Sequence, residues 1–281
     1  MDQEPAKTAF PSPWQTVGLL GVFIAFSIAI SVLLSPFLGN DPGNMPAWFI
    51  LAGTAVPMGG TVWIAQIWRG GGSFFLRSVP PHIYVLGVLL GMPVAGLAGI
   101  LVEILGVPDF LEEMLKDFLE EPGVFSFLAI VAAAPILEEL LFRSVILGGF
   151  LKRYSPPKAI FWSALIFGVY HFNPAQVVGA FMIGLVLGFL FWRTRSVWPC
   201  IVLHAVNNGL GYWMLGKEEL SKMTMREWLG SDLALAGFAV CCIALAVAAY
   251  WMIMRSTAST IDEFMPPATT PNADVDDGEA I

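Results

Sequence analysis

Apolar segments long enough to cross a lipid bilayer recur along almost the whole chain. A helix needs about 20 consecutive apolar residues to span the hydrocarbon layer. Because lipid offers no partner for backbone N–H and C=O groups, each such segment must satisfy these groups internally, as a helix does. We therefore predict an all-α polytopic membrane protein with about eight transmembrane helices, near 14–38, 46–68, 82–105, 123–151, 158–172, 174–193, 197–215 and 233–254.

The composition excludes an ordinary soluble domain, since 57% of the residues are hydrophobic and only 13% are charged. We predict one transmembrane domain over residues 1–255, surrounded by membrane lipid. The net charge of -8 comes mainly from acidic residues in one loop and in the C-terminal segment, so no nucleic-acid partner is expected. Residues 256–281 are rich in Thr, Pro, Asp and Glu, and they predict an acidic, disordered, cytoplasmic tail.

The distribution of Lys and Arg between loops predicts the orientation, because these residues accumulate on the cytoplasmic side. With the N-terminus inside, nine basic residues fall in cytoplasmic segments and four fall outside, so both termini are predicted to be cytoplasmic. The compact chain carries no eukaryotic targeting signal, which favours a bacterial cell (inner) membrane. The inside set is Lys7, Arg69, Arg77, Lys152, Arg153, Lys158, Arg193, Arg195 and Arg255.

An amphipathic segment separates the third and fourth apolar segments. Between Asp109 and Glu121 apolar residues recur at helical spacing, and Asp109 with Glu112 resembles a capping box. We predict an interfacial helix, which either packs on the bundle as an ordinary surface helix or guides a substrate.

The fourth apolar segment contains three charged residues, Glu138, Glu139 and Arg143. A charge at membrane depth costs about 2.5 to 3.5 kcal/mol even on the more lenient scale, so each one needs a reason. Glu139 and Arg143 are four residues apart and share a helix face, which predicts an ion pair. Glu138 points about 100 degrees away and has no opposite charge on its own face. Its partner must therefore come from another helix.

Two later segments supply polar partners. The fifth carries Phe167 and His171 one turn apart, and the seventh carries His204 and Asn208 one turn apart. Such a set is suited to hydrolysis: Glu138, aided by His171 or by a bound metal, would deprotonate a water that attacks a peptide carbonyl. His204 and Asn208 would stabilise the oxyanion. Glu139 with Arg143 would hold the fourth helix in register.

Other functions use the same types of residue. Buried carboxylates and histidines also form proton relays in transporters. A non-catalytic membrane scaffold or immunity factor could retain the fold and bind a partner through its exposed helices. Single buried histidines are often only interhelical hydrogen-bonding groups, and Gly184 with Gly188 is best interpreted as a close-packing pair.

The three ordered motifs resemble those of a known family. Glu138-Glu139 with Arg143 matches E-E-x-x-x-R, Phe167 with His171 matches F-x-x-x-H, and the third motif, H-x-x-x-N, follows on the seventh segment. The chain thus resembles the CAAX prenyl endopeptidase and bacteriocin-processing (CPBP, or ABI) intramembrane proteases, over about residues 123–215.

The resemblance implies a membrane endopeptidase, a hydrolase whose site opens toward the cytoplasmic side. It implies water activation by Glu138 with His171, oxyanion stabilisation by His204 and Asn208, and supporting roles for Glu139, Arg143 and Phe167. The substrate would be a membrane-associated protein or peptide, including one anchored by a prenyl group. The motifs leave open whether a divalent metal such as zinc, held by Glu138, His171 and His204, takes part or whether the enzyme needs none.

Overall fold

The computed structural model describes residues 10–37, 47–109, 123–215, 217 and 223–258. Within these ranges the chain is helical, and its one β-type contact is an isolated antiparallel bridge between Leu76 and Ser196. The predicted amphipathic helix, apart from Asp109, lies outside the described residues, as does almost all of the predicted acidic tail. The prediction of an all-α polytopic membrane protein is confirmed.

Nine helices occur in the described part of the chain. Six of them, α1, α2, α3, α4, α6 and α9, are long and apolar enough to cross a membrane. The nine are α1 (Pro13–Leu34), α2 (Ala47–Trp68), α3 (Pro81–Leu105), α4 (Val124–Phe150), α5 (Pro156–Val169), α6 (Pro174–Thr194), α7 (Trp198–Leu215), α8 (Met225–Leu229) and α9 (Asp232–Ser256).

The other two predicted spans, α5 and α7, differ from the rest for reasons visible in their sequences. Helix α5 has only 14 residues and ends at Val169. Helix α7 has 18 residues, but His204, Asn207 and Asn208 in its middle reduce its hydropathy. Both pack inside the bundle, where α5 lies against α6, and α7 lies against α3, α4 and α6.

Helix α4 is continuous, but its hydrogen bonding changes along its length. The segments Leu128–Ala133 and Leu140–Leu147 have the wider π-helical pattern, and the α-helical turn between them carries both glutamates. Wide turns of this kind are frequent at functional sites, because they change the direction in which side chains point.

Successive long helices run in opposite directions, so the bundle has two distinct ends. At the closed end, α1, α3, α5 and α7 begin and α2, α4, α6 and α9 end. There Val197 N–H donates to Phe75 O at 2.9 Å, and Arg193 donates to Met254 O at 2.9 Å. At the opposite end, called the open end, Met225 N–H donates to the Glu103 carboxylate at 2.8 Å.

Close packing of α5 on α6 depends on two glycines. A Cβ atom at Gly184 would lie 3.1 Å from Ala164 Cα, and one at Gly188 would lie 2.9 Å from Ile160 Cγ2. Both distances are too short for a relaxed contact, so larger residues would push the helices apart. The two glycines therefore act as the close-packing pair that the sequence predicted.

Candidate active site

The two adjacent glutamates of α4 are both buried in the centre of the bundle. Glu138 is 7% exposed and Glu139 is fully buried. They lie in the short α-helical turn between the two π-helical segments. Because neighbouring residues on a helix point about 100 degrees apart, the two carboxylates meet different partners.

Glu139 contacts two charged or ionisable groups. Its Oε2 lies 3.1 Å from Arg143 Nε, and its Oε1 accepts a hydrogen bond of 2.8 Å from His204 Nδ1. The Arg143 N–H groups are not aligned for a hydrogen bond with Glu139, so the interaction is an ion pair. The guanidinium instead lies over the Phe167 ring, 4.3 Å from its centroid. The ion pair was predicted from the spacing, whereas the contact with His204 was not.

Glu138 has one charged or ionisable contact within 4 Å among the described side chains, and it comes from another helix. Its Oε2 lies 3.8 Å from His204 Nε2, which is beyond hydrogen-bonding distance. No described residue donates a hydrogen bond to this buried oxygen. A buried carboxylate oxygen without a hydrogen bond is energetically costly, so the described side chains leave the charge of Glu138 poorly compensated.

His204 is held between the two glutamates. Because a carboxylate can only accept, Nδ1 of His204 must carry the hydrogen in the bond to Glu139. This leaves Nε2 directed toward Glu138. The arrangement fixes the ring orientation of His204, as an acidic partner does in many histidine-containing sites.

His171 follows the end of α5. Its Nδ1 lies 2.8 Å from Phe167 O, and since a carbonyl only accepts, Nδ1 donates and Nε2 is left as a free acceptor. The Phe167 ring contacts both imidazoles edge-on, with centroids 5.0 Å from His171 and 5.7 Å from His204. Glu138 and His171 form no direct ion pair, although both line the same cavity.

Asn208 satisfies a carbonyl that α4 cannot. In the first π-helical segment Ala134 N–H donates to Ala129 O. In that register the next donor would be residue 135, which is proline and has no N–H. The carbonyl left without a donor is that of Ile130, and Asn208 Nδ2 donates to it at 3.0 Å. The second Nδ2 hydrogen of Asn208 is not used by this bond.

All four predicted catalytic residues line one cavity of about 550 Å³. Glu138, His171, His204 and Asn208 come from α4, the α5–α6 connection and α7. Further polar residues that the sequence analysis did not assign to the site also line it: Thr54, Asp109, Gln176, Asn207 and Tyr212. Of these, Tyr212 follows Asn208 by one helical turn, a spacing that could have identified it in the sequence.

The cavity reaches the open end of the bundle. Asp109, which follows α3, and Tyr212, near the end of α7, both line it and lie at that end. The predicted cytoplasmic termini would place this end on the other side of the membrane. The resemblance instead implied a site open to the cytoplasm. Both expectations cannot hold for this structure.

A three-ligand metal site is not formed by the described residues, which contain no group of His, Cys, Asp or Glu arranged to hold an ion. The Nδ1 hydrogen bonds of His171 and His204 leave each Nε2 open, as in many ligating histidines, but Glu138, His171 and His204 are not grouped closely enough to hold one ion. We therefore derive no step through a metal.

Comparison with known proteins supports the resemblance. Residues 120–210, about a third of the chain, match the family described as "Type II CAAX prenyl endopeptidase Rce1-like". A Bacillus subtilis (strain 168) protein described as "Putative membrane peptidase YdiL" is 32% identical over 74 residues, which cover 26% of this chain and 30% of that relative. No solved structure matches. The predicted resemblance to the CPBP family is confirmed, and the matched segment contains all three motifs.

Proposed function

We propose that this membrane protein is an intramembrane endopeptidase that hydrolyses a peptide bond in a membrane-associated protein or peptide. The observation that supports the proposal best is the convergence of Glu138, His171, His204 and Asn208 on one cavity. A carboxylate without a hydrogen-bond donor faces this cavity, next to two imidazoles and an amide. This set contains a base, a proton acceptor and two donors, which amide hydrolysis requires.

Glu138 acts as the general base. Its carboxylate accepts a proton from a water that lies between it and Nε2 of His171, the nitrogen that the bond to Phe167 O leaves free. The resulting hydroxide attacks the peptide carbonyl carbon, and the C–N bond breaks in the next step. Glu138 then delivers the proton to the leaving amine, so that proton and electron counts balance.

His204 and Asn208 stabilise the negative charge that develops on the carbonyl oxygen. Since Nδ1 of His204 donates to Glu139, Nε2 can donate only when the ring is doubly protonated. Asn208 contributes its second Nδ2 hydrogen, while the first stays bonded to Ile130 O. Donors placed in this way lower the barrier by several kcal/mol in other hydrolases, about 2.7–4 for one donor.

Glu139 and Arg143 are positioning residues. Arg143 balances the charge of Glu139, and Glu139 in turn fixes the ring of His204. Phe167 completes this support, because its ring lies under the guanidinium and against both imidazoles. The E-E-x-x-x-R motif thus has one residue for chemistry and two for support in this mechanism.

We place the protein in a bacterial cell membrane with both termini in the cytoplasm. The excess of basic residues in the predicted cytoplasmic loops supports this orientation. The Bacillus subtilis relative, described as "Putative membrane peptidase YdiL", supports the bacterial location.

The proposal is tested by cleavage assays on the purified full-length chain in detergent micelles. The probe is a pool of quenched fluorogenic peptides that carry an acyl anchor. We expect cleavage by the native chain and a loss of at least about 100-fold in Glu138→Gln, a typical contribution of a general base. Gln176→Ala is the matched control, since Gln176 lines the same cavity and hydrogen-bonds to none of the four proposed catalytic residues.

A chelator arm addresses the metal alternative with the same peptides. We expect a strong chelator in large excess over the protein to leave the cleavage rate unchanged, because no step of the proposed mechanism uses a metal. Equal rates for the native chain and Glu138→Gln would refute the proposed function. Loss of activity on chelation with recovery on adding zinc would refute the metal-free mechanism.

A further inference from the structure

The two ends of the bundle differ strongly in charge. Among the described residues, the closed end carries eight Lys or Arg residues and no Asp or Glu. The open end carries two basic residues, Lys217 and Arg226, and four acidic ones, Glu103, Asp109, Glu227 and Asp232. The closed-end set is Arg69, Arg77, Lys152, Arg153, Lys158, Arg193, Arg195 and Arg255.

This asymmetry orients the protein. Lys and Arg near the ends of spans are retained on the cytoplasmic side, while acidic residues contribute little to topology. The helices alternate in direction, so each basic residue of the set lies at the same end of the folded bundle. The closed end therefore faces the cytoplasm, and the open end faces the opposite side of the membrane.

The half of the bundle toward the closed end is tightly packed. Beyond the glutamates, α4 continues with Leu141, Phe142 and Leu147, each at most 1% exposed. On the facing helices Phe191 and Leu203 are fully buried. These side chains form one core cluster that lies between the site and the closed end. A peptide cannot reach Glu138 from that side without separating packed helices.

The half of the bundle toward the open end contains the cavity. On α4 the cavity is lined by Ile130 and Ala134, which precede Glu138 in the direction of the open end. Helix α5 ends at Val169, so its short length leaves space on the open-end side of His171. Glycines at positions 179 and 211 also line the cavity, and a Cβ atom at either one would meet nothing within 4 Å.

We propose that the substrate enters the site from the non-cytoplasmic side of the membrane. The substrates are then exported peptides, or segments of membrane proteins that project from the outer leaflet. A tail held in the cytoplasmic leaflet by a prenyl group is excluded, because the packed closed half separates it from Glu138. This inference rests on the proposed function for its substrate class, whereas the side of entry rests on charge and packing alone.

Cysteine labelling in intact bacterial spheroplasts tests the side of entry. Gly179→Cys and Gly211→Cys place a thiol in the cavity with open space around Cβ. Lys152→Cys places one on the exposed surface of the closed end. Each full-length variant is treated with a charged, membrane-impermeant methanethiosulfonate, before and after permeabilisation. The native chain, with its three cysteines in place, gives the background.

We expect both cavity thiols to react in intact spheroplasts at least tenfold faster than the background. We expect the thiol at position 152 to react only after permeabilisation. Labelling of the cavity thiols only after permeabilisation, or not at all, would overturn the inference, as would labelling at position 152 in intact spheroplasts.

The labelling needs no catalytic activity, so it is independent of the proposed function. If the cavity thiols react from outside but the detergent-solubilised native chain cleaves no peptide, the proposed function fails and the side of entry stands. If the chain cleaves peptides but the thiols react only from the cytoplasm, the proposed function stands and this inference fails.

Discussion

Replacing each of the adjacent glutamates by glutamine in turn should separate the residue that stabilises the fold from the residue that carries the chemistry. Glu139 is fully buried and lies within 3.1 Å of Arg143 and 2.8 Å of His204. Removing its charge leaves the guanidinium of Arg143 buried without a counter-charge. Breaking a buried ion pair on one side costs about 3–5 kcal/mol. We expect Glu139→Gln to lose this much unfolding free energy.

Glu138→Gln removes a charge that has no such partner. Its Oε2 lies 3.8 Å from His204 Nε2, and no described residue donates a hydrogen bond to that oxygen. We therefore expect a change in unfolding free energy within about 1 kcal/mol, because no hydrogen bond to that oxygen is lost. The rate of peptide cleavage should nevertheless fall by about 100-fold or more, since the general base is gone.

The assay is reversible unfolding in mixed detergent micelles, followed by helical circular dichroism, alongside peptide cleavage on the same preparations. The two variants differ by one position in sequence and are matched in size and charge change. If Glu138→Gln is as destabilising as Glu139→Gln, or if Glu139→Gln is no less stable than the native chain, the assignment of one glutamate to chemistry and the other to support is wrong.

Three further predictions test the surroundings of the site. Asn208→Ala should lower the unfolding free energy by about 1–3 kcal/mol, because it leaves the buried Ile130 carbonyl unpaired. In a Pro135→Ala background, where residue 135 regains an N–H, the loss should fall below about 1 kcal/mol. A double-mutant cycle in micelles measures this coupling, and equal losses in the two backgrounds would contradict it. Gly184→Ala should lose about 1–3 kcal/mol of unfolding free energy by overpacking, whereas Gly179→Ala should not destabilise the protein. Unfolding in micelles measures both variants, and equal stability would contradict the prediction. His204→Ala should lower the peptide cleavage rate by about 100-fold or more, because one donor to the developing oxyanion is lost; cleavage at the native rate would contradict this role.

Local features of the site could be predicted from the sequence. The ion pair of Glu139 with Arg143 follows from a spacing of four residues within one helix. The sequence also indicated that the partner of Glu138 must come from another helix, since none shares its face. These inferences need only helical geometry, which the apolar pattern established.

Contacts between helices could not be predicted in the same way. The bond from His204 to Glu139 depends on which face of α7 packs against α4, and the sequence does not encode this rotation in a local pattern. The bond from Asn208 to Ile130 O depends on a π-helical turn before Pro135, which ordinary helical spacing does not reveal.

The depth at which α5 ends also required the structure. The sequence predicted a span over 158–172, whereas the helix runs over Pro156–Val169 and a left-handed residue, Phe172, precedes α6. This early end places His171 inside the bundle and opens the cavity in one direction. The Asn173-Pro174 pair marked the boundary, but not which way the cavity would face.

The central claim is that Glu138 directs a water onto a peptide carbonyl within the membrane bundle. It is tested most directly by cleaving the anchored peptide pool in water enriched in oxygen-18, with mass spectrometry of the products. We predict one heavy oxygen in each newly formed carboxylate for the native chain, and almost no labelled product for Glu138→Gln. Labelled product formed by Glu138→Gln at the native rate would contradict it.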